Sequence, residues 1–201
     1  MDTLVWFVLL ALGAYVVKWR DERRRIALLG GHLRGYQIER LMAQLTEGYL
    51  RALGEDDPQR REQVWQVLTG AERELASQFA GLSADMARVP AADTRICRWP
   101  LADKWWPAAT LDLRAALALH AQGLQSVAEN ATGRSAKAKA RCLLAEMVLM
   151  QHTCHWFCKS KTVASARLLA RQRATLEQVL EEVSEETRRR YADWLQAGPG
   201  R

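Results

Sequence analysis

The sequence predicts an all-α chain: an N-terminal single transmembrane helix followed by a helical bundle or helical-array soluble domain. Three observations carry this. Residues 3–17 are uncharged and almost wholly apolar, which suits a bilayer span. Apolar residues then recur at spacings of three and four along most of the chain, the period of an amphipathic helix. Strict alternation never persists beyond a few residues, so no sheet is expected.

Residues 1–20 read as the anchor. At about 1.5 Å per residue the run Thr3–Trp19 covers roughly 25 Å, slightly short of a ~30 Å hydrocarbon core. Lys18 and Arg20 extend its reach by snorkelling, and Trp6 and Trp19 suit the two interfaces. A cleaved signal peptide would carry positive charge before the apolar run, where Asp2 is the charged residue. A surface-lying helix would need a polar face. After the run, Lys18, Arg20, Arg23, Arg24 and Arg25 outweigh Asp21 and Glu22. This order predicts a bacterial-type inner-membrane protein with its N-terminus out and its C-terminal domain cytoplasmic. The four cysteines are then expected as thiols, and the sequon at Asn130–Thr132 carries no meaning.

Residues 21–35 form a basic collar and a joint rich in glycine (Gly30, Gly31, Gly35), expected to break the helix and flex. The helical domain is expected over 36–196, with a short tail at 197–201. Its first helix has Ile38, Leu41, Met42, Leu45, Tyr49 and Leu53 on one face and Gly54 at its end. Asp57 and Pro58 suit the cap and first turn of the next helix. Its stripe of Val64, Leu68, Ala71, Leu75, Phe79, Leu82 and Met86 predicts a long helix packed at a shallow angle. A hairpin with the preceding helix is the expected use of that stripe, and pairing with another chain or a second copy is the alternative.

Pro90, Pro100 and Pro107 interrupt helix between Val89 and Pro107. Helix is expected again over 110–129, over 135–161 after a break at 130–133, and over 162–196 with an interruption near Ser184. The stretch Cys142–Cys158 is apolar enough to resemble a second span, but Glu146, Gln151, His152 and His155 would lie in lipid at several kcal/mol. It is expected as a buried central helix.

Three clusters invite a functional reading. His152, Cys154, His155 and Cys158 crowd one part of a helix, with ligand types suited to zinc or haem iron. One helix cannot surround a tetrahedral ion, and the spacing matches no standard finger or CxxC pattern. The competing reading continues the apolar stripe of Leu144, Met147 and Val148, and the primary expectation is no cofactor. Trp99, Trp105, Trp106 and Lys104 suit either contact with a lipid surface or insertion into a partner's groove, against a loop folded on the core. Arg134, Lys137, Lys139 and Arg141 oppose the helix dipole near a helix start, which points to an anionic partner or a solvated face. The acidic residues from Glu177 to Glu186 ahead of Arg188–Arg190 read as exposed pairs along a helix.

Hydrophobic residues at 49% and charged residues at 26% are globular proportions. The net charge of +6 suits an anionic neighbour, the lipid bilayer being nearest. The charge is dispersed and no recognition motif accompanies it, which disfavours nucleic acid. The sequence holds no phosphate-binding glycine loop, nucleophile elbow, HExxH or dinucleotide fingerprint, so nothing nominates an enzyme. The expected role is a membrane-anchored adaptor, assembly factor or accessory subunit that binds a membrane or cytoplasmic protein. Metal or haem binding by the Cys/His face is the alternative.

Overall fold

The computed structural model describes residues 2–97 and 110–197. Helix α1 spans Asp2–Leu33, α2 Ile38–Gly54 and α3 Pro58–Ala87. A 3-10 turn at Ala91–Asp93 leads into strand β1 (Arg95–Cys97), and β2 (Thr110–Asp112) runs into α4 (Leu113–Glu129). Then come α5 (Ala136–Cys158), α6 (Lys161–Gln172), α7 (Leu176–Glu182) and α8 (Glu185–Ala197). The chain is all-α, as its periodicity predicts.

Helix α1 divides into two halves. From Thr3 to Arg20 every residue is exposed, Trp6 by 66% and Leu10 by 69% among them. Beyond Arg20 the same helix docks on the domain and buries Leu29. Gly30 and Gly31 are helical, which corrects the expected break. Packing holds them where propensity alone would not, since glycine costs a helix only about 1 kcal/mol. The chain turns at Arg34–Gly35, and the turn is pinned rather than loose. Tyr36 donates to Asp85 Oδ2 at 2.6 Å, its ring lying over Gly81, where a Cβ would approach to 2.9 Å.

Helices α2 and α3 pair as a hairpin whose apolar stripes face each other. Leu41, Leu45 and Tyr49 meet a face containing Leu68, Leu75, Phe79 and Leu82, all buried. Asp57 caps α3 through Gln59 N at 2.8 Å. The long stripe is therefore consumed inside the chain, and α3 also packs on α4.

Helix α5 is the hub, packed on α1, α2, α4, α6, α7 and β1. Its Leu143, Met147, Leu149, Met150 and Phe157 are buried, as expected of a central helix. Among the described residues, α1 is the helix long and apolar enough to cross a membrane.

Two local expectations fail. Residues 95–97 pair antiparallel with 110–112, a ribbon too short to register as alternation. The C-terminal region is three helices, because Arg173 adopts a left-handed conformation (φ 51) and closes α6. Thr175 and Gln178 then form a reciprocal capping box that starts α7. The anticipated interruption at Ser184 starts α8.

Candidate functional site

The collar is the first candidate, and three of its charged residues, Glu22, Arg24 and Arg25, reach the domain. Arg25 pairs with Asp21 at 2.8 Å, and its Nη1 donates to Arg95 O at 2.8 Å and Phe157 O at 3.4 Å. Lys159, just past the end of α5, pairs with Glu22 at 2.5 Å. Arg24 reaches Asp93 at 2.6 Å. Arg23 lies over the Trp19 ring, 4.0 Å from its centroid, and Lys18 stands 3.9 Å from Glu22. Arg20 makes no such contact among the described residues. The sequence reads all five cations as topology signals. Two of them, Arg24 and Arg25, also fasten the second half of α1 to the helical body.

The Cys/His face of α5 is split between two neighbours. His152 and His155 face α6 across a cleft lined also by Val148, Gln151, Ala164, Arg167, Leu168, Arg171 and Gln172. His152 is buried, with Nε2 3.1 Å from Ser165 Oγ. Burial, with help from Lys161 and His155, depresses its pKa to about 4. His155 is also held below the usual imidazole value, by burial first and then by Arg167 and Arg171. Cys158 feels Arg25 of α1 and Lys159, yet burial wins and pushes its thiol up to about 11. Burial and the neighbouring Cys158 raise Cys154 to about 12.

Among the described residues no three His, Cys, Asp or Glu side chains converge as a ligand set. Cys154 and Cys158 pack partly buried against the core, as does Leu144 on the same arc. The described residues thus offer no ready-made three-ligand set for zinc. The tryptophan cluster of Trp99, Trp105 and Trp106, with Lys104, lies outside the described residues. Its two stems are paired at Cys97 and Thr110, and β1 begins at Arg95, whose carbonyl Arg25 holds.

Three buried polar links were not singled out from sequence. Glu72 of α3, 3% exposed, accepts from Tyr49 of α2 at 2.7 Å and pairs with Lys139 of α5. Lys139, read from sequence as part of a basic run inviting an anionic partner, has that partner inside the fold. Glu146, at the centre of α5 and 0% exposed, accepts from Ser184 N at 3.0 Å. That bond ties α5 to the start of α8, where Ser184 Oγ also donates to Thr187 Oγ1 at 2.9 Å. Burial raises the Glu146 carboxyl pKa against the lowering effect of these bonds.

The third link joins α4 to α5. Thr153 donates to Leu149 O at 3.1 Å, so it accepts from His120 Nε2 at 2.9 Å. His120 is the neutral Nε2–H tautomer, its pKa forced down to about 3 by burial and then by His152. Tyr191 of α8 stacks beside it, ring centroids 6.0 Å apart. A glutamate and a histidine within apolar helical runs were the available signals for these links. Comparison with known protein families, curated proteins and solved structures finds no match for the chain.

Proposed function

We propose that this chain is a single-pass protein of a bacterial-type inner membrane, N-terminus out. Its helical domain works in the cytoplasm as an adaptor, assembly factor or accessory subunit by binding a partner protein. The observation that carries the reading is the continuity of α1, whose bare apolar half runs without interruption into a half fastened to the domain.

Twelve large apolar or aromatic side chains between Leu4 and Trp19 are exposed. Leaving them in water forgoes on the order of 20 kcal/mol or more, at about 1.5–3 kcal/mol for each large side chain. Lipid removes that cost. The first docking contact, at Glu22, follows Trp19 within one helical turn, so no free linker separates span from domain. The end of α5, the start of α6 and the stems of the tryptophan segment then lie near the headgroups. Arg25, which touches β1, is only about 9 Å along the helix from Trp19. This placement supports lipid-surface contact by Lys161 and by the segment holding Trp99, Trp105, Trp106 and Lys104.

An adaptor tethered this closely offers its partner one fixed face instead of a swinging domain. The buried polar links join helices within the chain, and this structural use of their polar groups supports an interaction role. The full chain purified from detergent-solubilised membranes, with complex mass measured by light scattering, tests this. A second polypeptide in fixed stoichiometry is expected. A monomer, or a homo-oligomer holding no other chain, would contradict the adaptor reading.

A further inference from the structure

We propose that the cleft between α5 and α6 binds a phosphate group. Its donors come as two facing pairs, Gln151 and His155 one turn apart on α5, Arg167 and Arg171 one turn apart on α6. Val148, Ala164 and Leu168 form the apolar floor, and no carboxylate lines the cleft. Neither arginine makes an ion pair among the described residues, and both are exposed. This contrasts with Arg188, Arg189 and Arg190 on α8, each of which pairs with Glu185 or Glu186.

Two guanidiniums one turn apart with no acid in the cleft repel one another weakly at their exposed positions, and an oxyanion between them reverses that repulsion, with His155 as a neutral hydrogen-bonding ring beside them. The enclosed space is about 20 Å³, room for one water-sized group. That space admits one oxygen of a phosphate whose remaining oxygens stay at the cleft mouth beside the arginines, and it excludes a base or sugar ring. A tetrahedral phosphate presents oxygens to both helices at once, whereas a carboxylate matches one arginine fork. Burial first, and then the nearby Arg167 and Arg171, depress the imidazole pKa. The site does not depend on the membrane reading.

The test uses the full chain in phosphatidylcholine nanodiscs, titrated with inorganic phosphate by calorimetry at constant ionic strength. Saturable binding with one phosphate per chain is expected, weakened at least tenfold by Arg167→Gln with Arg171→Gln. Both side chains are exposed, so the thermal midpoint of the double variant in phosphate-free buffer should match the parent. Should the midpoint fall, Gln151→Glu makes the same test by setting a carboxylate in the cleft. No saturable binding, equal affinity in these variants, or equal displacement by chloride would overturn the proposal. Repeating the titration in nanodiscs containing phosphatidic acid identifies the source. Weaker apparent affinity means a lipid phosphomonoester occupies the cleft, and unchanged affinity means a soluble one does.

Discussion

Substituting Gly123 by alanine should destabilise the domain although alanine is the better helix former. Gly123 lies mid-way along α4, where a Cβ would stand 2.7 Å from Glu146 Oε2, 3.1 Å from Glu146 Cδ and closer still to Thr187 Oγ1. Neither neighbour moves freely. Glu146 Oε1 holds Ser184 N at 3.0 Å, and Thr187 Oγ1 accepts from Ser184 Oγ at 2.9 Å. Overpacking costs about 1–3 kcal/mol, and displacing the buried carboxyl from its donor costs about 1–3 kcal/mol more. The helix-propensity gain offsets only about 1 kcal/mol, which leaves a net loss of about 1–5 kcal/mol. Urea unfolding of the full chain in detergent, followed by circular dichroism, measures it. Gly70→Ala is the control, because no atom lies within 4 Å of its added Cβ, and it should gain up to about 1 kcal/mol. A Gly123→Ala variant as stable as the parent would refute the close approach of α4, α5 and α8.

Acid should destabilise the domain partly through His120. Its pKa is 6.5 unfolded and about 3 folded, so its contribution is complete above pH 6.5 and is lost as pH falls toward 3. Between pH 6.5 and 4.5 the loss is about 1.4 kcal/mol per pH unit, and His120→Gln should be about 2–3 kcal/mol less acid-sensitive there by urea titration. Glu146, with its raised carboxyl, acts in the opposite sense, but it is common to both proteins and cancels in the comparison. Lys139→Met should cost about 3–5 kcal/mol by leaving Glu72 buried without its cation. Tyr49→Phe should cost about 1–3 kcal/mol by removing the hydroxyl that Glu72 accepts from. In a Cys97→Ser background, Cys142 and Cys158, each raised from 9.0 to about 11, should react about a hundredfold more slowly than a free thiol at pH 8. A dithiobis reagent reads this, and urea should restore the full rate.

Much of the fold was legible because its elements announce themselves through apolar spacing and turn chemistry. The stripe from Val64 to Met86 and the Asp57–Pro58 start marked α3, and its regular spacing implied the hairpin with α2. Asn130, left-handed at φ 52, ended α4 where sequence placed the break. The end of α6 was hidden, since a left-handed arginine has no sequence signature, although Thr175 and Gln178 carried the capping-box signal that follows it. At Gly30 and Gly31, propensity suggested a joint, but Glu22 and Arg24 pair with Lys159 and Asp93, and Arg25 donates to Arg95 O, which holds the second half of α1 on the body.

Side-chain partners were less legible because they come from distant segments. Lys139 and Glu72 stand 67 positions apart in the chain, so a basic run read as solvent-facing hid a buried pair. The Cys/His face was correctly located on one helix. Its division between α1 and α6 depended on which helices pack against α5, which local spacing does not encode.

The central claim is that the first half of α1 spans a bilayer and carries the domain with it. Alkaline carbonate extraction of membranes from cells expressing the full chain tests it most directly, beside a chain lacking residues 3–19. The predicted result is that the full chain stays in the pellet and the shortened chain moves to the supernatant. Release of the full chain into the supernatant would contradict the span.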